Sequence, residues 1–152
     1  MKIKFTVPGN PVGKGRPRFS RQGQYVRTYT PEKTVNYETL VKLEYERQCG
    51  TFRFSEDTPI DMRITAYLPI PKSVSQKKRR LMADKKIRPM KKPDVDNCGK
   101  AVADALLNLA YKDDCQIVDM SIRKFYSEEP RTVITIQSSG VKSSSQNNEK
   151  SE

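Results

Sequence analysis

The chain contains no histidine. That absence removes Ser–His and Cys–His nucleophilic pairs, imidazole general bases and histidine-ligated zinc together. Any metal chemistry has to use oxygen ligands, which suit Mg²⁺, Mn²⁺ or Ca²⁺. Cysteine is scarce as well. Cys49, Cys98 and Cys115 are odd in number and form no CxxC pattern, so neither a disulfide framework nor a zinc knuckle is indicated. No apolar run approaches the ~20 residues of a membrane span. Met1-Lys2-Ile3-Lys4-Phe5 alternates like a strand instead of forming the apolar stretch of a signal peptide. The expectation is a cytoplasmic protein with reduced thiols, no membrane partner and no small-molecule cofactor.

Acid is the scarcer charge. Against 29 Lys and Arg stand 18 Asp and Glu, a net charge of +11 on 152 residues. Such an excess on one small domain implies a polyanionic partner, because each cation that meets a phosphate releases a condensed counterion. Nucleic acid is the expected partner, ahead of a membrane surface. Hydrophobic residues make up only 35% of the chain, so part of it is expected to lie outside the core.

Periodicity predicts a strand over residues 2–7, then a long mobile loop from Pro8 to Gln24, rich in Gly, Pro and Arg, and a strand over 25–28. Thr30 as N-cap and Pro31 at the first helical position open a helix to about Cys49, with Tyr37, Leu40, Val41 and Tyr45 facing inward. Ile60, Met62, Ile64, Ala66 and Leu68 alternate cleanly and predict a strand over 60–68. Ser73 or Ser75 caps a short basic helix to about Lys86. Another helix follows over 96–110, with an apolar stripe of Cys98, Val102, Ala105, Leu106 and Leu109. Strands over 116–126 and 131–137 read as a hairpin, and from Ser138 a disordered tail is expected. The sum is a single α+β domain, residues 1–137, with a mixed sheet of four to five strands and two or three helices on one face.

Two phosphate- and metal-binding motifs fail on spacing. Gly9 to Lys14 has three residues between its glycines where a P-loop needs four, and Gly15 follows the lysine. Asp94 to Gly99 begins like an EF-hand, but Cys98 and Ala105 occupy its fifth and twelfth positions.

The acids gathered inside basic surroundings carry more. Lys91 and Lys92 lead into Asp94, Asp96 and Asn97, then Lys100 and Asp104, and Asp113-Asp114 follow the same helix. Carboxylates beside a phosphate site are repulsive unless a divalent cation lies between them. The plain alternative is that Asp94 or Asp96 is a helix cap and Asp113-Asp114 a turn. A cap uses one carboxylate, however, and this segment has two.

Lys92-Pro93-Asp94-Val95-Asp96-Asn97, Lys100, Asp104-Ala105-Leu106, Asp113-Asp114 and Gln116 together resemble the signature of the RusA family, Holliday-junction resolvases that are homodimeric and magnesium-dependent. The resemblance spans residues 2–137. It implies that Asp94, Asp96 and Asp114 are metal-binding catalytic carboxylates and Lys100 a catalytic lysine, with Asp113 a neighbouring candidate ligand. It implies one or two Mg²⁺ ions, with Mn²⁺ as the substitute, and branched DNA as substrate. On sequence spacing alone Lys100 also reads as the partner of Asp96 in an i,i+4 salt bridge. A different class of reading stays open: a non-catalytic nucleic-acid binder whose aspartates are caps and turns.

Two segments are candidates for docking DNA. Lys14, Arg16, Arg18 and Arg21 share a stretch with Phe19 and Tyr25, which suits stacking on distorted bases. Residues 72–92 carry ten cations and one acid, among them Lys77, Arg79, Arg80, Lys91 and Lys92. These are expected to hold phosphates, without reading bases. A helix over 96–110 would carry the chain roughly 20 Å between the two acidic clusters, too far to share one ion. Either the helix ends early and the chain doubles back, or the far carboxylates come from a second subunit. The hypothesis here is a composite site, formed by two antiparallel copies of the helix meeting along Val102, Ala105, Leu106 and Leu109.

Overall fold

The computed structural model describes residues 1–16 and 18–140 of the chain. In chain order the elements are β1 (Lys2–Pro8), β2 (Arg18–Gln22), β3 (Tyr25–Tyr29), α1 (Glu32–Cys49), β4 (Ile60–Pro69), α2 (Gln76–Ala83), α3 (Val95–Ala105), a 3-10 turn at Asp114–Gln116, β5 (Ile117–Ser127) and β6 (Arg131–Ser138). They form one α+β domain around a mixed four-stranded sheet ordered β1-β6-β4-β5, with β2 and β3 as a separate ribbon.

The alternation read in 60–68 is the centre of this architecture. Ile60, Met62, Ile64, Ala66 and Leu68 are all buried, on the face of β4 that meets the helices. A strand so apolar on one face is most stable with a neighbour along each edge, and β4 has both: β5 runs parallel to it and β6 antiparallel. The expected 116–126/131–137 hairpin is therefore wrong. β5 and β6 follow each other in sequence, but β4 lies between them. The link Glu128–Pro130 crosses the end of β4, spanning roughly 10 Å at two strand spacings. It lacks the glycine-based two-residue turn that a tight hairpin needs.

Other boundaries move for local reasons. Pro8–Gln24 is not one mobile loop: β1 runs through Pro8, and Arg18–Gln22 pairs with Tyr25–Tyr29 across a two-residue turn where Gly23 takes φ +61. Pro31 takes the N-cap of α1 in place of Thr30, its carbonyl accepting from Thr34 N at 3.0 Å and Val35 N at 3.2 Å. Ser75 is the cap of α2, accepting from Lys78 N at 3.2 Å. Ser138 completes β6 opposite Ile60, and Ser139 N donates to the Pro59 carbonyl at 2.9 Å. The rest of the expected tail, 141–152, lies outside the described residues.

α1 presents Tyr37, Val41 and Tyr45 to the core, as its pattern predicts, with Leu40 half-buried against them. Buried tyrosines need partners for their hydroxyls, and each finds one. Tyr37 Oη shares a 2.8 Å hydrogen bond with Thr132 Oγ1, tying α1 to β6. Tyr45 donates to the Phe52 carbonyl, and Tyr111 donates to the Ala103 carbonyl. Among the described residues no helix is long and apolar enough to cross a membrane.

α3 packs on β5 through Gly99. A Cβ there would lie 2.6 Å from Ile122 Cδ1 and 3.0 Å from Met120 Sδ, so glycine, a poor helix former, is what allows the close approach. Gly99→Val is expected to lower stability by about 1–3 kcal/mol through overpacking. A urea midpoint equal to that of the parent would show that α3 does not sit this close to the sheet.

Candidate active site

Asp94 occupies the N-cap of α3 with extended dihedrals, φ −68 and ψ 153, and its main-chain carbonyl accepts from Cys98 N at 3.0 Å. Its carboxylate makes no capping bond. Asp96 lies in the first turn, exposed, with neither a hydrogen bond nor an ion pair among the described residues. The cap reading of this segment is thus not realised, and both carboxylates face solvent uncommitted. Behind them Cys98 is buried. Burial pushes its thiol up to about 11, Lys124 opposes the rise, and Asp94 and Asp96 add to it. Cys98 is a neutral packing residue.

The segment after β1 builds a wall beside these acids. Lys14 N donates to the Asn97 carbonyl at 2.9 Å and Gly15 N to Thr34 Oγ1 at 2.9 Å, which wedges residues 13–15 between the starts of α3 and α1. Added Cβ atoms would come within 2.9 Å of Pro93 at Gly13 and 2.8 Å of Thr34 Oγ1 at Gly15. The result is a cleft of about 890 Å³ in which Arg16, Lys33, Lys91, Lys92, Asp94 and Asn97 share one lining. Arg16, Lys33 and Lys92 have no ion-pair partner among the described residues.

Lys14 also lines the cleft, but its charge is spent inside the protein. Nζ lies 2.7 Å from Glu38 Oε2 and 3.2 Å from Asp104 Oδ2, with about a fifth of the side chain exposed. Lys100 reaches the same acid, Asp104 Oδ1 at 3.4 Å, and not Asp96 as the spacing had suggested. Lys124 had no signal in composition, yet its Nζ donates to the carbonyls of Lys91 at 2.6 Å and Pro93 at 3.0 Å and so holds the approach to Asp94 in place. A lysine on the inward-facing phase of β5, alternating with Ile122 and Tyr126, is the sequence cue that could have found it. Lys33 had only its place in the first turn of α1.

α3 stops at Ala105, five residues short of the predicted end. Asn108 takes a left-handed φ of +64 and donates its N–H to the Tyr111 carbonyl at 2.8 Å, and the Tyr111 hydroxyl turns back onto Ala103. Burial raises the Tyr111 phenol above its ordinary range, and the charges of Asp114 and Asp104 add to that shift. Asp113 caps the 3-10 turn: it accepts from Cys115 N at 3.0 Å, and that bond holds its carboxyl below the usual range. Gln116 completes the box, accepting from Asp113 N at 3.1 Å and donating to the Ser55 and Thr58 carbonyls. Asp114 caps nothing and forms no ion pair among the described residues.

Asp113, Asp114 and Cys115 can place donor atoms within 4.8 Å of one another, a group that Asp94 and Asp96 do not join. The two exposed carboxylates fit a hard divalent cation. The Cys115 thiol does not, since its hydrogen bond and charge contact with Asp113 push it toward the protonated form. Asp94 follows Pro93, whose carbonyl is held by Lys124 well along β5, whereas Asp114 leads directly into the start of that strand, so one chain holds its acids as two separated pairs. The seam proposed for a second copy is not available. Val102, Ala105 and Leu106 are buried in the chain's own core, and Leu109 packs against it.

The remaining docking candidates divide. Lys77 and Arg80 are exposed, whereas Arg79 is held by Glu128 and by the Pro71 carbonyl at 3.0 Å. Arg21 projects from β2, whose Arg18 side chain lies outside the described residues. The ribbon holds Phe19, Tyr25, Val26 and Tyr29 largely in solvent, an apolar surface unusual for a small basic domain.

The pattern of the family described as "Endodeoxyribonuclease RusA" matches residues 8–137. A protein of Bacillus subtilis (strain 168), named "Uncharacterized protein YqaN", is 44% identical over 137 residues, covering 89% of this chain and 95% of the relative.

Removing the Lys14 charge leaves half-buried Glu38 without its ion-pair partner and Asp104 with only the exposed Lys100, so Lys14→Met is expected to cost about 1–3 kcal/mol. Burial works against the ammonium, but the bonds to Glu38 and Asp104 prevail and raise its pKa above 10.5. The stabilisation is therefore fully present below that value and fades as pH rises through the raised one. Thermal melts of both proteins should show a constant gap from neutral pH to about 10 that narrows above it. A gap absent at pH 7 would remove Lys14 from this structural role.

Proposed function

Because the chain belongs to the RusA family of endodeoxyribonucleases, we propose that it cuts four-way DNA junctions by magnesium-dependent hydrolysis of a phosphodiester, in recombination and repair. The observation that supports this most directly is the state of the α3 carboxylates. Asp94 and Asp96 neither cap nor pair through their carboxylates, though Arg16, Lys33 and Lys92 line the same cleft as Asp94. Aspartates used as caps would be bonded to main-chain N–H groups, so the non-catalytic alternative loses its simplest support.

In this reading Asp94, Asp96 and Asp114 hold one or two Mg²⁺, or Mn²⁺ in its place, with Asp113 a weaker candidate because one of its oxygens already caps. The ion supplies Lewis acidity toward the scissile phosphate. The protein supplies the rest. Arg16, Lys33 and Lys92 neutralise flanking phosphates, Lys91 and Lys124 keep the Asp94 segment in position, and the cleft wall formed by Gly13–Gly15 orients the strand. Lys100 stabilises charge that grows on the phosphoryl oxygens. It is free to do so, because an exposed i,i+4 pair such as Lys100–Asp104 is worth only about 0.3–0.5 kcal/mol.

Since the two acidic pairs lie toward opposite ends of α3, a homodimer related by a two-fold axis would let one chain's Asp96 meet the other's Asp114. The available seam is the open edge of β5, where Val118 and Met120 are exposed. A junction with two symmetric strands to cut suits such a dimer.

A labelled four-way junction incubated with Mg²⁺ is expected to be cut, and a chelator to stop the cutting. Asp96→Asn should lose cleavage while binding the junction as tightly or slightly more so, because it removes a charge that repels phosphate. Near-parental cutting by that variant would place the chemistry elsewhere. If the site is shared, mixing Asp96→Asn with Asp114→Asn chains and allowing exchange restores one intact centre per heterodimer, read as nicking of a single strand. A mixture that stays inactive would mean each site is built within one chain.

A further inference from the structure

The helices cover one face of the sheet; the other is open. Strand register sorts its side chains into rows across β1, β6, β4 and β5. One row is Lys4, Thr135, Arg63 and Ser121, and the next is Thr6, Val133, Thr65 and Arg123. They line a groove of about 630 Å³ whose charged side chains are Lys4, Arg63, Arg123 and Arg131, with no acid among its lining residues. Lys4, Arg63 and Arg123 are exposed and have neither hydrogen bond nor ion pair among the described residues. Around them stand hydroxyls: Thr6, Thr65, Ser121 and Thr135.

Acids mark the borders of this band. The row before it carries Asp61 and Asp119, and beyond it lie Glu128 and Glu129 in the link that follows β5. Between them the Tyr67 and Phe125 rings stack at 6.1 Å, with the Arg131 guanidinium 4.0 Å over Tyr67 and Arg88 4.2 Å over Phe125. The open face of a sheet is ordinarily solvated by mixed charges. Here three unpaired cations are held on a stiff surface where like charges repel, and hydroxyls surround them.

We propose that this open sheet face is a second docking surface for duplex DNA, binding the sugar–phosphate backbone of an arm that leaves the active site. The inference rests on DNA being the substrate. Cations with Ser and Thr hydroxyls are the groups that contact phosphate without reading sequence. Lys4 on β1 and Arg123 on β5 are three strand spacings and one row apart, roughly 16 Å in all, which matches about five base-pair steps at 3.4 Å. The acidic borders limit the backbone to a path across the strands. Arg88 connects the two surfaces: it covers Phe125 on the open face, while Lys91 of the same segment covers Tyr126 on the helix side and leads to Asp94. An arm rounding the β5 edge there, away from Val118 and Met120, passes Arg88 and then Lys91. A second copy stacked face to face would set the cationic band against itself.

The test is Lys4→Gln, Arg63→Gln and Arg123→Gln combined, with binding to a linear 20-base-pair duplex and to a four-way junction followed against salt, with chelator present. Exposed polar substitutions leave the fold intact, which circular dichroism and a melt check. The log–log salt slope is expected to fall by about 2–3 on both DNAs, the loss of two to three phosphate contacts. An unchanged slope overturns the proposal. So does a changed oligomeric mass with an unchanged slope, which would assign the face to a second copy. Binding to linear duplex is read without cutting, so a chain that failed to resolve junctions could still show the contact, and the two ideas fail separately.

Discussion

The parallel pairing of β4 with β5 is the constraint from which most of this structure follows. Parallel strands need a crossover that returns the chain along the length of the sheet. Here α2, the 84–93 segment and α3 make that return. It places Asp94 and Asp96 beside the end of β4 and Asp113-Asp114 just before β5 begins. It also leaves β5 as an open edge and sends β6 across to the far side of β4. The separation of the acidic pairs is thus a property of topology, and a shorter α3 does not remove it.

Packing at the start of α3 is decided by small residues and one buried charge. Gly13, Gly15 and Gly99 each stand where a Cβ would meet a neighbour, so main chain, helix and sheet close to contact. Lys14 then joins α1 to α3 through Glu38 and Asp104. These features are rigid scaffold for the two exposed aspartates, whose carboxylates form no hydrogen bond or ion pair among the described residues. Uncommitted carboxylates on a fixed support are what a cation site requires, because ligand positions then cost little to organise.

The positive charge divides in three. Lys14 and Arg79 are spent on internal ion pairs; Lys124 and Arg131 orient segments and rings; Arg16, Lys33, Lys92, Lys77, Arg80, Lys4, Arg63 and Arg123 have no ion-pair partner among the described residues. Net charge alone names the class of partner, whereas the division among these groups depends on which acids the fold brings near. Lys100 stands between, on a weak exposed pair that a phosphate can displace.

Composition and motif spacing determined the partner class, the family and the principal elements, because each depends on local periodicity or on residues close in sequence. The alternation of 60–68, the inner face of α1 and the acids flanking α3 were all legible in this way. The partner of β6, the packed course of residues 10–16, the end of α3 at Ala105, the choice of Asp104 over Asp96 by Lys100 and the cationic open face were decided only by tertiary structure. Each depends on a contact that the local pattern does not specify: β4 inserted between sequence neighbours, Tyr111 folded back on Ala103, Asn97 meeting Lys14. Local patterns state which face of a segment is apolar; which segment covers that face, and which charges are left uncovered, is settled by how the whole chain packs.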